Sequence, residues 1–172
     1  MAERLAQIAR LDGLAMIQIR ADLQRAGDAI AEAVGLAIPD VTRMVTDGSR
    51  HLGWMSPDEL LLILPSAQLT EAMAEIAEAL TGEHSLIVDM SDARVVFEVT
   101  GPHATDVLAK LTPVDVVSMQ PDEFRRSRAA QVGVAFWRVM DGYRVIGFGS
   151  TAEYLQQILQ NAAIPGSQLA PR

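Results

Sequence analysis

The sequence has no cysteine, three histidines and only 5% aromatic residues among 172 positions, and nothing in it approaches a long unbroken apolar run. Each scarcity removes a class of chemistry. Without cysteine there is no disulfide scaffold, thiolate zinc site, cysteine-ligated iron–sulfur cluster or cysteine nucleophile, and the composition suits a reducing compartment. His51, His84 and His103 lie in separate segments. No His-x-His or His-Glu-x-x-His spacing places two of them on one helix face, so no local metal-binding motif is encoded. Apolar stretches of 4 to 8 residues recur, but Arg, Asp, Glu, Pro or Gly interrupts each of them. A transmembrane helix needs about 18 to 20 apolar residues in a row, so a soluble protein is expected. Positive charge is also short: 14 Lys and Arg stand against 22 Asp and Glu, a formal net charge of -8. The resulting field repels nucleic acid and anionic membranes. Residues 1–10 alternate charge with apolar side chains and include Glu3, unlike a secretory signal or an Arg-rich transit peptide, which predicts a cytoplasmic location.

What is present is apolar bulk. At 49% hydrophobic residues, a chain of this length can bury roughly two thirds of its unfolded surface around one core. Leu14–Arg20 (LAMIQIR) alternates as a strand does, and in residues 21–34 Leu23, Ala26, Ile30 and Val34 recur at helical spacing before Gly35. Three short strands are expected next, over residues 41–46, 51–55 and 59–64, with turns at Asp47-Gly48 and Ser56-Pro57-Asp58. Ser66 then suits the cap of a helix whose Leu69, Met73, Ile76 and Leu80 share a face, ended by Gly82. The second half restarts with strands at residues 85–90 and Arg94–Thr100, followed by a helix that opens at Pro102 and buries Ala104, Val107, Leu108 and Leu111. Residues 112–127 read as a long excursion with one short strand at residues 114–117. A hairpin is predicted from residues 129–139 and 143–148 around Asp141-Gly142. A last helix starts at Ser150 with Glu153 as a capping-box partner, and a frayed tail follows from Ile164.

The halves repeat this order. Matched points lie 80 residues apart (Leu14 and Arg94), 83 apart (Trp54 and Trp137) and 84 apart (Ser66 and Ser150). The pattern predicts two β-α-β-β-α units, residues 12–84 and 85–162, joined into one interlocked α/β (α+β) domain, because each sheet alone would leave an open face and edges.

No reaction centre emerges. Gly147, Gly149 and Ala152 fit G-x-G-x-x-A between a strand and a helix, but the dinucleotide fingerprint also needs a parallel strand with an acidic residue about 20 positions on. Residues 160–172 supply no such pattern, so the glycines are read as easing a strand into a helix. His51 near Asp47 and Arg50 is read as a solvated turn, and His103 as surface. No G-x-S-x-G elbow occurs, and the pairs Glu75 with Glu78 and Asp122 with Glu123 are read as solvated carboxylates. Arg125, Arg126 and Arg128 form the one basic cluster, read as a solvated loop able to meet an acidic patch or phosphate. Trp54 and Trp137 offer large amphipathic rings to a core or an interface. Arg125, Arg126, Arg128 and Trp54 are accordingly the candidate partner contacts. No residue qualifies as catalytic, cofactor-binding or metal-binding.

Residues 52–65 (LGWMSPDELLLILP), 88–116 (VDMSDARVVFEVTGPHATDVLAKLTPVDV) and 129–159 (AAQVGVAFWRVMDGYRVIGFGSTAEYLQQIL) together resemble the sarcosine oxidase gamma subunit family. The most distinctive string is Ser91, Asp92, Arg94, Phe97, Gly101 and Pro102. The resemblance departs at Leu111-Thr112, where Gly-Cys is common, and over residues 125–127, where a glycine is common. The family in turn is similar to the folate-binding domain of the glycine cleavage T-protein, which implies ferredoxin-like halves. The resemblance further implies a non-catalytic gamma subunit of a heterotetramer that oxidatively demethylates sarcosine to glycine with oxygen as oxidant, passing the one-carbon unit to tetrahydrofolate as acceptor or releasing formaldehyde and peroxide. FAD, FMN, NAD and tetrahydrofolate are then expected in the alpha, beta and delta partner subunits, and none in this chain. Exposed interface surface suggests a homodimer when the chain is isolated. The alternative is a stand-alone folate-binding or one-carbon-transfer module, with Asp89 or Asp92 holding the pterin.

Overall fold

The computed structural model describes residues 4–169, so the first three residues of the expected arm and the last three of the expected tail lie outside the described residues. Among the described residues the order is β1 (Gln7–Leu11), β2 (Leu14–Arg20), α1 (Leu23–Val34), β3 (Met44–Asp47), β4 (Arg50–Ser56), β5 (Glu59–Pro65), α2 (Leu69–Ala79), β6 (Leu86–Asp89) and β7 (Arg94–Thr100), then α3 (Ala104–Ala109), β8 (Phe124–Ala129), β9 (Val132–Val139), β10 (Gly142–Phe148) and α4 (Ala152–Ala162). Two five-stranded sheets result, ordered β3-β4-β5-β2-β6 and β1-β7-β10-β9-β8, and every pairing is antiparallel. The chain divides into an N-terminal unit, residues 13–92, and a C-terminal unit made of residues 4–12 and 93–169.

In the N-terminal unit, the alternation read in Leu14–Arg20 sends Ala15, Ile17 and Ile19 to the helix-covered side of the sheet, where they meet Leu52, Leu60, Leu62 and Leu64. Helix α1 adds Ala26, Ile30 and Val34, and α2 adds Ala72 and Ile76. Full burial of each Leu or Ile contributes about 1.5–3 kcal/mol. The Asp22 carboxylate caps α1 by accepting from Gln24 N at 3.0 Å, and Gly35 ends it in the left-handed conformation at φ 68°. Arg50 secures that end from outside, donating to the Val34 carbonyl at 3.1 Å and to Gln68 Oε1 at 2.9 Å.

In the C-terminal unit, Phe97 and Val99 of β7, Phe136 of β9 and Val145 of β10 face Val107, Leu155 and Leu159 of the helices. Tyr143 is buried there, its hydroxyl 3.0 Å from Thr105 Oγ1 and 3.4 Å from the Val116 carbonyl. A half-buried Lys110 holds the segment after α4 by donating to the carbonyls of Ala162 (2.5 Å) and Ser167 (2.8 Å) and to Ser167 Oγ (2.9 Å). Through residue 167 the expected frayed tail is therefore tied down.

Several expectations change. The stretch before residue 12, read as an arm, contains a strand, and β1 pairs with β7 rather than with β2. Strand β6, assigned by the repeat to the second half, pairs with β2. Each sheet thus takes its edge strand from across the boundary that the repeat pattern drew at residues 84–85. Residues 114–117 form no strand; Pro113 and the bonds from Tyr143 and Arg138 to the Val116 carbonyl hold them irregular. The basic cluster is edge strand β8 rather than a loop, and the run expected as residues 129–139 is broken by a hairpin turn at Ala130-Gln131. Ala130 adopts φ 50°, and its N–H donates to the Leu111 carbonyl at 2.7 Å. No Gly or Asn marks this turn, so the sequence carries no signal for it. Ser66 and Ser150 lie in 3-10 turns ahead of α2 and α4, and no side-chain cap bond forms at either helix start.

Gly142 is required for a different reason than expected. The β9–β10 turn is Met140-Asp141, and neither residue has positive φ. Gly142 instead pairs with Val139 on one side and Thr100 on the other, and a methyl group on it would overlap the Val99 carbonyl oxygen. Gly142→Ala is expected to cost about 2 kcal/mol or more, because backbone, not a flexible side chain, stands in the way. Gly133→Ala on β9, with nothing within 4 Å of the new methyl, is expected to change stability by about 0.5 kcal/mol or less. Ala130→Gly relieves a left-handed alanine and is expected to stabilise by about 0.5 kcal/mol. Urea denaturation of the three variants checks all of these.

Candidate functional site

On β8, residues alternate between the faces of the sheet, so the three arginines do not act together. Arg125 lies opposite Phe136 on the helix-covered face, and its Nε is 2.7 Å from Glu123 Oε1. Glu123 is buried, and its other oxygen accepts from Gln120 N at 2.8 Å, which pins the end of the excursion to the strand. Arg126 and Arg128 are exposed on the opposite face, across from Ala135 and Gly133. These two guanidiniums present a cationic surface suited to carboxylate or phosphate.

Trp54 belongs to the N-terminal unit, half-buried on β4 beside Leu60. Trp137, its counterpart in the repeat, is buried in the C-terminal unit with Phe124 edge-on at 5.9 Å. The matched tryptophans therefore differ in what they can offer a partner, a difference set by neighbours remote in sequence.

Other candidates separate as well. His51 is not in a solvated turn: it is a buried residue of β4 whose Nδ1 lies 2.9 Å from Thr46 Oγ1. His84 and His103 are exposed, the latter 3.2 Å from Asp106. Glu75 and Glu78 are exposed on α2, and Asp92 is exposed beyond β6. Among the described residues no group of three His, Asp or Glu gathers as a metal site. Gly147 sits on an antiparallel strand flanked by β7 and β10's other neighbour β9, and a methyl on it would press against Leu155 Cδ2 at 2.6 Å. Close strand–helix packing accounts for that glycine. No helix among the described residues is long and apolar enough to cross a membrane.

The grooves among the described residues include two of large volume. One, about 780 Å³, lies in the C-terminal unit between residues 4–7, Gly101 and the Met140-Asp141 turn. The other, about 1120 Å³, lies in the N-terminal unit along Arg20, the start of α1, Asp58 and residues 82–86. Its charges are already matched: Arg20 Nη2 is 2.6 Å from Asp58 Oδ2, and Arg25 Nη2 is 3.1 Å from Glu83 Oε1. A hydrogen bond from Ser56, then one from Arg20, holds the Asp58 carboxyl below its ordinary range, and Asp58 raises the Arg20 guanidinium. Neither groove brings a nucleophile together with a base.

The distinctive string performs structural work. Ser91 Oγ accepts the Met16 N–H at 3.0 Å and donates to Asp89 Oδ1 at 2.5 Å, while Ser91 N donates to the same oxygen at 2.9 Å. Arg94 lies over the Phe148 ring at 4.5 Å, and Phe97 is fully buried. Gly101 adopts φ 123°, where a side chain would be strained, with its N–H on the Asp141 carbonyl at 3.0 Å. Pro102 is in the turn before α3 rather than inside its first turn.

The sarcosine oxidase, gamma subunit family matches residues 20–164. The chain belongs to that family. It is 36% identical over 118 residues to the sarcosine oxidase subunit gamma of Corynebacterium sp. (strain P-1), covering 64% of this chain and 55% of that protein. The corresponding subunit of Arthrobacter sp. is 33% identical over 117 residues, with the same coverage of 64% and 55%. The chain thus spans about half the length of the curated relatives it matches. In fold it is similar to a chain of the heterotetrameric sarcosine oxidase from Corynebacterium sp. U-96, at a TM-score of 0.88 and 23% identity over 97% of this chain and 88% of that one. It also resembles the glycine cleavage aminomethyltransferase T from Bartonella henselae, at a TM-score of 0.70 and 15% identity over 90% of this chain and 45% of that one. The T-protein-like fold expected for the family is the fold observed.

Ser91 offers a direct check on the structural reading of the family string. Ser91→Ala removes both hydroxyl bonds and is expected to cost about 1–2 kcal/mol, whereas Ser91→Thr retains them and most of the stability. Thermal denaturation of the two variants compares them.

Proposed function

We propose that this chain is the non-catalytic gamma subunit of a heterotetrameric sarcosine oxidase, and that it supports oxidative demethylation of sarcosine to glycine by completing the assembly. The observation that carries this reading is the use to which the family's string is put. Ser91, Phe97 and Gly101 satisfy backbone groups, fill the core or permit a close approach, and none of them lines a concentration of acid, base and nucleophile. Family membership supports the same reading. On this proposal FAD, FMN, NAD and tetrahydrofolate reside in the alpha, beta and delta subunits, and the assembly is cytoplasmic, in keeping with the absence of cysteine.

The proposed partner contacts are Arg126 and Arg128, both exposed on edge strand β8, with Arg125 holding Glu123 and Trp54 contributing an aromatic surface. An edge strand bearing exposed arginines discourages pairing with arbitrary strands and favours a partner that presents carboxylates. Permanent hetero-complexes bury about 2,000 Å² or more, so the complex is expected to survive purification. Tagged chain expressed with candidate alpha, beta and delta subunits should recover a flavoprotein complex. Reversal of charge in Arg128→Glu is expected to reduce recovery about tenfold while the isolated variant keeps the wild-type melting temperature. Micromolar binding of folinic acid by the isolated chain, with no flavoprotein partner recovered, would instead establish the stand-alone folate-binding module.

A further inference from the structure

The four sheet edges are not alike. Edge β8 carries Arg125, Arg126 and Arg128; β1 carries Gln7 and Arg10; β3 ends in exposed Thr46 and Asp47. Such charged or polar residues are the usual protection of an exposed edge. Edge β6 reads Leu86, Ile87, Val88, Asp89, and none of the four is fully buried: Leu86 is 51% exposed, while Ile87 and Val88 are partly buried. Its single charge does not guard it, because the Asp89 carboxylate turns toward Ser91.

The ladder shows which backbone groups of β6 are open. Met90 N donates to the Met16 carbonyl, and Ala21 N donates to the Asp58 carbonyl on the other side of β2. In an antiparallel pair the backbone groups of successive residues alternate in direction. Even-numbered residues of β2 therefore bond toward β6 and odd-numbered ones toward β5, so in the pairs Gln18 with Val88 and Arg20 with Leu86 the β6 residue bonds inward. Ile87 and Asp89 point their N–H and C=O away from β2. Among the described residues, β6 has no second strand neighbour, and no backbone bond of these outward groups appears outside the ladder.

We infer that β6 is a strand-addition site, at which an extended apolar segment of a partner subunit pairs with the outward backbone groups of Ile87 and Asp89. A row of alternating donors and acceptors flanked by partly buried apolar side chains and the exposed Leu86 matches an added strand and little else. The size of the edge argues against a second copy as occupant. Two β6 strands pairing with each other would join only four residues from each chain, far below the roughly 1,200–2,000 Å² of a stable interface. A segment belonging to a partner already held elsewhere needs no such area, because its pairing is intramolecular within the assembly. The inference rests on the proposed subunit role.

The test measures residue-resolved amide exchange in the isolated chain and in the assembled complex, together with two substitutions. Ile87→Pro removes an outward N–H without removing a bond to β2, while Ile87→Ala loses comparable packing and keeps the N–H. Slowing of the Ile87 and Asp89 amides by at least tenfold on assembly is expected. Recovery of the complex should also fall at least tenfold further for Ile87→Pro than for Ile87→Ala. Assembly with unchanged exchange at both amides, or equal recovery of the two variants, overturns the strand-addition site and leaves the subunit role standing. Failure of any partner to assemble with the wild-type chain overturns both. Protection of the two amides in the isolated chain, with the mass of a dimer, overturns the heteromeric occupant in favour of a second copy.

Discussion

Both sheets depend on one constraint: a strand second from the edge must find backbone partners on both sides, and those partners come from distant parts of the chain. Strand β2 is flanked by β5 and by β6, and β7 by β10 and by β1. Register follows from that double pairing, since a slip of one residue would turn Ile17 and Ile19, or Phe97 and Val99, out of their cores. The helices then cover faces that the strand pairing has already defined.

The positions that secure these pairings are the ones that stand out in the sequence. Ser91 links the chain after β6 to the start of β2 through the Met16 N–H. Gly142 permits β10 to lie against β7, and Gly101 turns the chain out of β7 beneath the Asp141 carbonyl. A family string made of such residues marks a fold. Arginine-bearing β8 and apolar β6 are opposite solutions to one problem, the unpaired backbone of an edge strand.

Most elements were legible from periodicity. Strands β2, β4, β5, β7 and β10 and helices α1, α2 and α4 are legible from alternation, apolar runs or a 3.6-residue stripe, although Leu23, Leu69 and Met73 of the marked stripes are only partly buried and Tyr154 of α4 is exposed. Strand β1 escaped because its five residues, QIARL, are largely exposed and carry no dry face. Strand β8 escaped because three arginines in six residues resemble a loop, although an edge strand tolerates such charge. The turn at Ala130 escaped because a left-handed alanine leaves no compositional mark. Of the candidate contacts, the arginine cluster was visible as charge, but its division into Arg125 on one face and Arg126 and Arg128 on the other required the strand.

By itself the sequence determined the amphipathic elements and the resemblance to the family, because composition and short-range periodicity are local properties of the chain. The tertiary structure alone decided that β1 joins β7, that β6 joins β2, that His51 is buried and that Ile87 and Asp89 turn their backbone groups outward. Those outcomes depend on which strands share hydrogen bonds across long sequence separations, and a backbone N–H carries the same local signature whichever partner it finds.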